Sequence, residues 1–396
     1  MPDRHAESLA GWGFRAGTVA GVSDLGSSPR PARPAFDPRG APSARALLGG
    51  PAVGCTSLTH NPLNAVTGGI WRVEGGSRSV VAKLLTDGRD HDGPPGWATS
   101  TDPAHWNWWE REWRVYTDGI VDRFRPDGLV APELLVVDRI GDGSVLLWFE
   151  DVDGAMPTTV EGLADLAHRL GRAQGRLAGR PIEPWLTHGF QAAYAGSKPV
   201  DGRVFDHDPS WAHPLVAKWL APLRDDLRRL HQERARFFAL VARCPQTLCH
   251  LDLWPANILQ REDGGFALLD WAFCGEGALG EDIANLVPDS VFDLLLPTDL
   301  LPALAETLVE RYLAGLHDAG WEGDDRLVRL AVHASAAKYH WLAERMVLGT
   351  VDGSPVVYGG RPADADELYR ARGEGLALLC RWADEARTTA RALGWW

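Results

Sequence analysis

The chain has 396 residues, of which 45% are hydrophobic, and it carries a net charge of −13 at neutral pH. This acidic balance argues against nucleic acid as a main partner, because phosphate backbones are bound by basic surfaces. The five cysteines are widely spaced and contain no CxxC pair, which argues against a disulfide framework or a structural zinc site.

The first fifty residues are rich in Ala, Gly, Pro, Arg and Ser. They are predicted to be an extension, partly disordered or draped over the domain, with ordered structure beginning near Ala52. They show no secretory signal, and no apolar segment of the chain approaches bilayer-spanning length. A cytoplasmic protein with no membrane partner is therefore expected.

A β-rich region follows the extension. Alternating residues predict strands at 69–73 and 79–85, joined by a hairpin turn. After a loop at 86–101, Asp102 and Pro103 predict the start of a helix. Its buried face would carry Trp106, Trp109, Trp113 and Tyr116. Two further strands are predicted at 134–138 and 145–150.

Beyond Gly154 helical patterns dominate, interrupted by one short β-hairpin near 257–270. The predicted helices cover residues 158–178, 212–243, 300–318, 325–347 and 363–392. The fold class is therefore α+β, with a small antiparallel β-rich N-lobe at 51–153 and a larger helical C-lobe at 154–396.

One spaced set of polar residues, His250-x-Asp252-x-x-x-x-Asn257, lies at the start of this hairpin. Phosphoryl transfer needs a carboxylate that accepts the proton of the attacking hydroxyl, and an oxygen ligand for Mg²⁺ nearby. Asp252 and Asn257 can supply these two groups. Both residue types are also common in turns and helix caps, which is the structural alternative.

The hairpin extends this set to a second carboxylate. If Asp263 and Gly264 form a two-residue turn, Asn257 faces Asp270 across the two strands. An amide oxygen and a carboxylate would then converge on one point, as a divalent cation requires. A longer turn would shift this register.

The β-rich lobe offers matching parts. Lys83 ends the apolar run 80–83 and can reach the α- and β-phosphates of a nucleotide. It needs an acidic partner from the following helix, for which Glu112 is preferred and Glu110 is the alternative. The turn containing Gly68 and Gly69 could cover the phosphates with backbone N–H groups. The sequence contains no G-x-x-x-x-G-K-[ST] motif, which argues against a P-loop kinase.

The segments 249–259, 269–271 and 280–284 together resemble the aminoglycoside phosphotransferase and choline kinase superfamily. The resemblance implies a bilobal protein-kinase-like fold, with ATP or GTP as phosphoryl donor and Mg²⁺ as cofactor. The roles that it implies are Asp252 as catalytic base, Asn257 and Asp270 as magnesium ligands, and Lys83 with Glu112 as the phosphate-anchoring ion pair.

Two further expectations and one departure from the family pattern come from the same resemblance. The segment 145–151 resembles the family's hinge, which places Phe149 and Asp151 at the nucleotide. Asp282 resembles a residue that braces the catalytic loop. Leu251 stands where Gly is frequent in the family.

The acceptor is expected to be a hydroxyl of a small molecule such as an antibiotic or a sugar. The C-terminal helices should form its pocket, with candidate lining residues Trp254, Trp271, Glu276, Lys338, Tyr339, Trp341 and Glu344. One alternative is a kinase acting on Ser or Thr of a peptide, which would need a long open groove. Another is a non-catalytic nucleotide-binding pseudokinase, against which the presence of Lys83, Asp252, Asn257 and Asp270 argues.

Overall fold

The computed structural model describes residues 36–89, 93–349, 356–358 and 361–396. The N-lobe elements are α1 (Ala44–Leu48), β1 (Gly54–Ser57), β2 (Thr67–Glu74), β3 (Ser79–Thr86), α2 (Arg111–Thr117), β4 (Leu129–Val130), β5 (Leu134–Arg139) and β6 (Ser144–Glu150). Five of these strands form an antiparallel sheet in the order β1-β2-β3-β6-β5.

Strand alternation gives the two faces of this sheet different partners. In β3, Val80 and Ala82 pack toward α1, whereas Leu85 packs with Trp108 and Trp109 on the opposite face. Because successive side chains of a strand point to opposite faces, Lys83 shares the face of Leu85. The sheet therefore directs the lysine away from α1 and toward α2.

The described part of the predicted extension, residues 36–50, covers the face of the sheet that is opposite Lys83. Asp138 fixes α1 there, since it accepts hydrogen bonds from Ser43 N at 3.1 Å, Ser43 Oγ at 2.6 Å and Trp148 Nε1 at 2.9 Å. Ordered structure thus begins before Ala52. Residues 1–35 lie outside the described residues, and the boundaries at 50 and 153 stay predictions.

The helix expected to begin at Asp102 begins only at Arg111. The reason is the buried Arg111 guanidinium, which donates to the carbonyl oxygens of Pro103, His105 and Trp106. Those carbonyls are the acceptors that a first helical turn would use. Asp102 still accepts from Ala104 N at 3.0 Å, but it caps a single turn.

The loop before α2 docks on the C-lobe through Lys198. Its ammonium donates to Gly96 O at 2.5 Å and lies 3.7 Å from the ring centroid of Trp97. The rings of Trp106 and Tyr194 lie 5.2 and 4.5 Å away. Aromatic faces attract a cation, so this lysine holds the two lobes together at the loop.

The C-lobe is mainly helical. Its helices are α3 (Val160–Leu177), α4 (Phe190–Gly196), α5 (Val204–His207), α6 (Pro214–Trp219), α7 (Arg224–Val241), α8 (Glu281–Phe292), α9 (Leu301–Asp318), α10 (Asp325–Ala334), α11 (His340–Leu348) and α12 (Ala365–Ala392). Its strands are β7 (Gln246–Cys249), β8 (Ile258–Gln260), β9 (Phe266–Leu268), β10 (Gly275–Ala278), β11 (Val356–Val357) and β12 (Arg361–Pro362). Within the described ranges, no helix has the length and apolar character of a membrane span.

The helices predicted at 158–178, 300–318 and 363–392 correspond to α3, α9 and α12. The one predicted at 212–243 is broken at Pro222, which cannot donate the backbone hydrogen bond of a helix interior. The one predicted at 325–347 changes to a 3-10 turn at Ser335–Tyr339. With a sheet-based N-lobe and a larger helical C-lobe, the predicted α+β, protein-kinase-like fold class is confirmed.

Helices α3 and α9 cross with their backbones in close contact. A Cβ atom at Gly171 would collide with the backbone of Tyr312, and one at Gly315 with the backbone of His168. The crossing also lets Tyr312 donate a 2.6 Å hydrogen bond to Gln174 Oε1. Glycine is therefore required on both helices by packing.

We predict that Gly171→Ala destabilises the protein by about 1–3 kcal/mol, because the obstructing atoms are backbone and cannot turn away. Gly196→Ala is the matched control, since a Cβ there meets nothing within 4 Å. Thermal unfolding of both variants checks this. Equal melting temperatures for the two variants would contradict the close crossing.

Candidate active site

The loop after β7 is held in place by the buried carboxylate of Asp282, the second residue of α8. Its oxygens accept from His250 N at 3.0 Å, Leu251 N at 2.8 Å and Gln174 Nε2 at 2.7 Å. Three donors satisfy a carboxylate that is fully buried. Asp282 therefore braces the loop that carries Asp252.

Leu251, whose N–H group Asp282 holds, has an unusual backbone conformation. Its φ is +67°, in the left-handed region that residues with a Cβ atom rarely adopt. Its side chain is buried against a cluster containing Trp106, Phe190 and Phe273. The backbone at this position favours glycine, whereas the apolar cluster favours a large side chain.

His250 ties the loop to the second arm of the hairpin. Nε2 lies 2.9 Å from Leu269 O and Nδ1 lies 3.3 Å from Asp252 N. Burial lowers the pKa of His250, so the ring is neutral at neutral pH. With its proton on Nε2, the ring donates to Leu269 and accepts from Asp252.

Asn257 sits beside Asp252. Its Nδ2 donates to Asp252 O at 2.9 Å and to Asp252 Oδ2 at 3.1 Å. Burial, together with the charge of Asp270, raises the pKa of Asp252 to about 8, while Lys338 and the bond from Asn257 act in the opposite direction. The half-buried Asp252 side chain is thus a carboxylate with strengthened affinity for a proton.

The predicted hairpin register was wrong by one residue. The pairs are Ile258 with Leu268 and Gln260 with Phe266, so Asn257 faces Leu269. The turn has three residues and not two, since Arg261 N donates to Gly265 O at 2.9 Å and Gly264 has φ +79°. A glycine in the left-handed region is typical of three-residue hairpins.

Asp270, which was expected to face Asn257, contacts Lys83. Lys83 Nζ lies 2.6 Å from Glu112 Oε2 and 2.9 Å from Asp270 Oδ1. Burial alone would lower the pKa of Lys83, but the charges of Asp270 and Glu112 outweigh it and raise the pKa. The lysine partner is Glu112 and not Glu110, and the three side chains join α2 and β3 to the C-lobe.

The set Asn257 and Asp270 fits a magnesium ion by its chemistry. Asn257 makes both of its hydrogen bonds to Asp252 through Nδ2, which leaves Oδ1 available to a metal ion. The Asp270 side chain is 34% exposed. Among the described residues, no three His, Cys, Asp or Glu side chains group as metal ligands. Two protein oxygens supplemented by phosphates are typical of Mg²⁺ in nucleotide sites.

The turn with Gly68 and Gly69 differs from the expectation. The N–H groups of Ala65, Val66 and Thr67 donate to Trp97 O, Asn64 Oδ1 and Asn64 O, within the protein. A Cβ at Gly69, whose φ is +154°, would collide with the ring of Trp71. These three N–H groups are therefore already used, and the glycines make room for side chains of the sheet.

Of the two residues expected in the hinge, Phe149 lies on β6 and Asp151 directly follows it. Strand β6 pairs with β3, the strand of Lys83. Phe149 pairs with Val81 across the strands and packs on Tyr116 with ring centroids 4.9 Å apart. Asp151 accepts from Arg72 Nε at 2.7 Å and Ser79 Oγ at 2.6 Å. The structure thus gives Asp151 partners within the sheet and brings neither residue into contact with Asp252.

A cavity of about 150 Å³ opens beside Asp252. Its walls are Phe190, Tyr194, Asp252, Asp289, Phe292, Asp293, Lys338, Tyr339, Trp341, Leu342 and Arg372. Arg372 pairs with Asp293 at 2.9 Å, and Tyr339 donates to Asp289 at 2.7 Å. The cavity therefore combines aromatic walls with charges of both signs.

Three of the seven predicted pocket residues line this cavity, namely Lys338, Tyr339 and Trp341. The other four do not. Trp271 is core, Trp254 packs on Tyr358, Glu276 pairs with His188, and Glu344 accepts from Asp201 N.

Sequence reasoning missed Asp289. It follows Asp282 by two helical turns on α8, so helical spacing could have found it. Phe190 and Tyr194, the cavity residues from α4, have no comparable spacing from a motif residue.

Comparison with known protein families finds one that fits this geometry. The family described as phosphotransferase enzyme family matches residues 97–326, more than half of the chain. The chain belongs to this phosphotransferase family. Comparison with curated proteins gives no match.

The fold is also similar to solved structures. One is an amicoumacin kinase in complex with AMP-PNP and Ca²⁺, with 14% identity, coverage of 81% of this chain and 88% of that one, and a TM-score of 0.43. A choline kinase from Streptococcus pneumoniae has 11% identity, coverage of 83% and 94%, and a TM-score of 0.43. The aminoglycoside phosphotransferase APH(4)-Ia, with ADP and hygromycin B, has 14% identity, coverage of 86% and 99%, and a TM-score of 0.42.

We predict that Leu251→Gly is more stable than Leu251→Ala by about 1 kcal/mol, because only glycine relieves the left-handed strain. At Leu253, which is also fully buried but has no positive φ, alanine should be the more stable replacement. Thermal unfolding of the four variants tests both orders. The same order at both positions would refute strain at Leu251.

Proposed function

We propose that the protein transfers the γ-phosphate of ATP or GTP to a hydroxyl group of a small molecule. The observation that carries the proposal is the junction of Lys83, Glu112 and Asp270, which joins the two lobes beside Asp252. Nucleotide kinases of this architecture bind the phosphates between such a lysine and a metal-binding aspartate. Membership of a phosphotransferase family supports the same reaction.

In this reaction Asp252 is the general base. It takes the proton of the acceptor hydroxyl as the oxygen forms its bond to the γ-phosphorus, and the bond from that phosphorus to the nucleoside diphosphate breaks. Asp252 lines the cavity, so a hydroxyl bound there can reach its carboxylate. Asn257, which donates to Oδ2, fixes the orientation of this carboxylate.

Lys83 and Glu112 form the anchor for the α- and β-phosphates. Glu112 is buried and holds the ammonium of Lys83 in place, so little movement is needed when phosphates arrive. Asn257 and Asp270 would hold Mg²⁺, which supplies positive charge against the phosphate oxygens. Gly68, Gly69, Phe149 and Asp151 are further proposed parts of the nucleotide site.

A small acceptor fits the cavity better than a peptide does. The space next to Asp252 is about 150 Å³ and is walled mainly by helical residues, comparable in volume with a cavity that binds benzene. A peptide substrate would call for a long open groove at this place. A pseudokinase would not need the base, the lysine and both metal ligands. A cytoplasmic location, where nucleotides are abundant, belongs to the same proposal.

Mg²⁺ with ATP or GTP should raise the melting temperature, since a ligand at ~100 times its dissociation constant stabilises by about 2.7 kcal/mol. Lys83→Met should remove the shift, whereas Lys218→Met, which changes an exposed lysine, should keep it. Comparing ATP with GTP identifies the donor. The absence of a shift with either nucleotide would contradict the proposal.

Asp252→Asn should leave nucleotide binding intact and lower turnover on the order of 10²–10⁴-fold, because asparagine has no basic oxygen. The acceptor for this assay comes from a screen of aminoglycosides, nucleoside antibiotics, amino sugars and peptides, read as mass gain. Asp299→Asn, at an exposed carboxylate, is the control. Full activity in Asp252→Asn would exclude Asp252 as the base.

A further inference from the structure

Lys338 brings a positive charge into the interior beside the base. It lies in the 3-10 turn Ser335–Tyr339, where the helix predicted at 325–347 is interrupted, and it is only 8% exposed. Within the described part of the chain its ammonium has one hydrogen-bond partner, Asn285 Oδ1, and no carboxylate within 4 Å.

This single bond leaves most of the ammonium unsatisfied. An ammonium group has three N–H donors, and burial of a charge is costly unless its donors find partners. The rings of Tyr339, Tyr194 and Phe190 lie 4.7, 5.6 and 5.9 Å away and compensate in part. Lys338 lines the cavity beside Asp252, so a group bound there can accept from a donor that Asn285 leaves free.

The size of that cavity limits what these donors can meet. Lys338 and Asp252 both line the same space of about 150 Å³. A molecule that places a hydroxyl on Asp252 must therefore fill the volume next to Lys338. The reacting end of an acceptor bound in this cavity is a group that can accept from the ammonium.

The position of the ammonium is fixed relative to the catalytic loop. Asn285 bridges the two, because its Oδ1 accepts from Lys338 and its Nδ2 donates to Leu253 O at 3.0 Å. Tyr339 OH also lies 3.2 Å from the same Oδ1. A charge that is held in place before the substrate arrives stabilises a developing negative charge without reorganisation.

We propose that Lys338 is a second catalytic residue, whose ammonium donates to the attacking oxygen and to the phosphoryl group as it is transferred. The inference rests on the proposed function. As the acceptor proton passes to Asp252, the new oxygen–phosphorus bond forms and the bond to the nucleoside diphosphate breaks. Lys338 keeps its proton throughout and stabilises the charge on the moving oxygens.

The test uses Mg²⁺, ADP and aluminium fluoride, which imitates the transferred phosphoryl group and can take a water in the position of the attacking oxygen, so no identified acceptor is needed. Isothermal titration calorimetry gives the dissociation constant of Mg·ADP with and without fluoride. Wild type should bind ADP more tightly with aluminium fluoride. In Lys338→Met this gain should fall roughly 10- to 100-fold, as loss of one charge-assisted hydrogen bond implies, while Mg·ADP alone binds as before.

Lys338→Gln separates charge from structure. Glutamine can still donate to Asn285 but carries no charge, so a purely structural role predicts that it restores the gain. We expect Lys338→Gln to lose the gain as Lys338→Met does. Retention of the wild-type gain in either variant would overturn the inference, and if Lys338→Met fails to fold, Lys338→Gln decides alone.

One control variant and the wild-type result distinguish failure of the proposed function from failure of the role of Lys338. Lys218→Met makes the same substitution at an exposed lysine that pairs with Asp366 at 2.8 Å, and it should keep the full gain. If wild type binds neither Mg·ADP nor Mg·ADP with aluminium fluoride, the proposed function fails. If wild type shows the gain and either Lys338 variant keeps it, only the role of Lys338 fails.

Discussion

The geometry of the site depends on one buried carboxylate. Asp282 accepts two consecutive backbone N–H groups, those of His250 and Leu251, and Leu251 itself adopts a left-handed conformation. The hydrogen bonds to Asp282 and the burial of the Leu251 side chain offset the strain of that conformation. Gln174 supplies the third bond and is itself held by Tyr312 of α9. The loop is thus connected to the close crossing of α3 and α9.

A second constraint links the two lobes. Lys83 is 4% exposed and bonds one carboxylate from each lobe, so separating the lobes would break its ion pair with Asp270. Lys198 performs a related task at the loop before α2, where aromatic rings and Gly96 O receive its ammonium. Both contacts rely on a long flexible side chain that crosses between elements. They fix the distance between the nucleotide side and the acceptor side of the site.

The sequence predicted best what is encoded locally. Alternation located the strand of Lys83, and the fixed spacing of His250, Asp252 and Asn257 located the loop that carries the proposed base. The hairpin register failed because a turn of two residues and a turn of three share the same Asp-Gly signal, and only the backbone angle of Gly264 separates them. The start of α2 failed because a distant constraint, the burial of Arg111, removed carbonyls from the helix.

The acceptor cavity was the least predictable part. Its walls come from α4, α8, α11, α12 and the turn before α11, and no spacing rule relates residues on separate helices. Lys338 and Tyr339 are followed by good helix formers, so propensity alone gave no reason to expect a 3-10 turn there. The turn follows from tertiary bonds, since both side chains reach Asn285 on α8. The functional roles of these residues stay predictions until the variants are measured.

The scarcity of lysine gives this fold a chemical property of its own. The sequence has only four lysines, and the structure describes all of them. Lys83, Lys198 and Lys338 are 4%, 2% and 8% exposed, whereas the side chain of Lys218 is 54% exposed. Reagents that acylate amines should therefore modify Lys218 readily and reach the other three only when the interior opens. The rate at which each interior lysine is modified then reports separately on the lobe junction, the docked loop and the cavity wall.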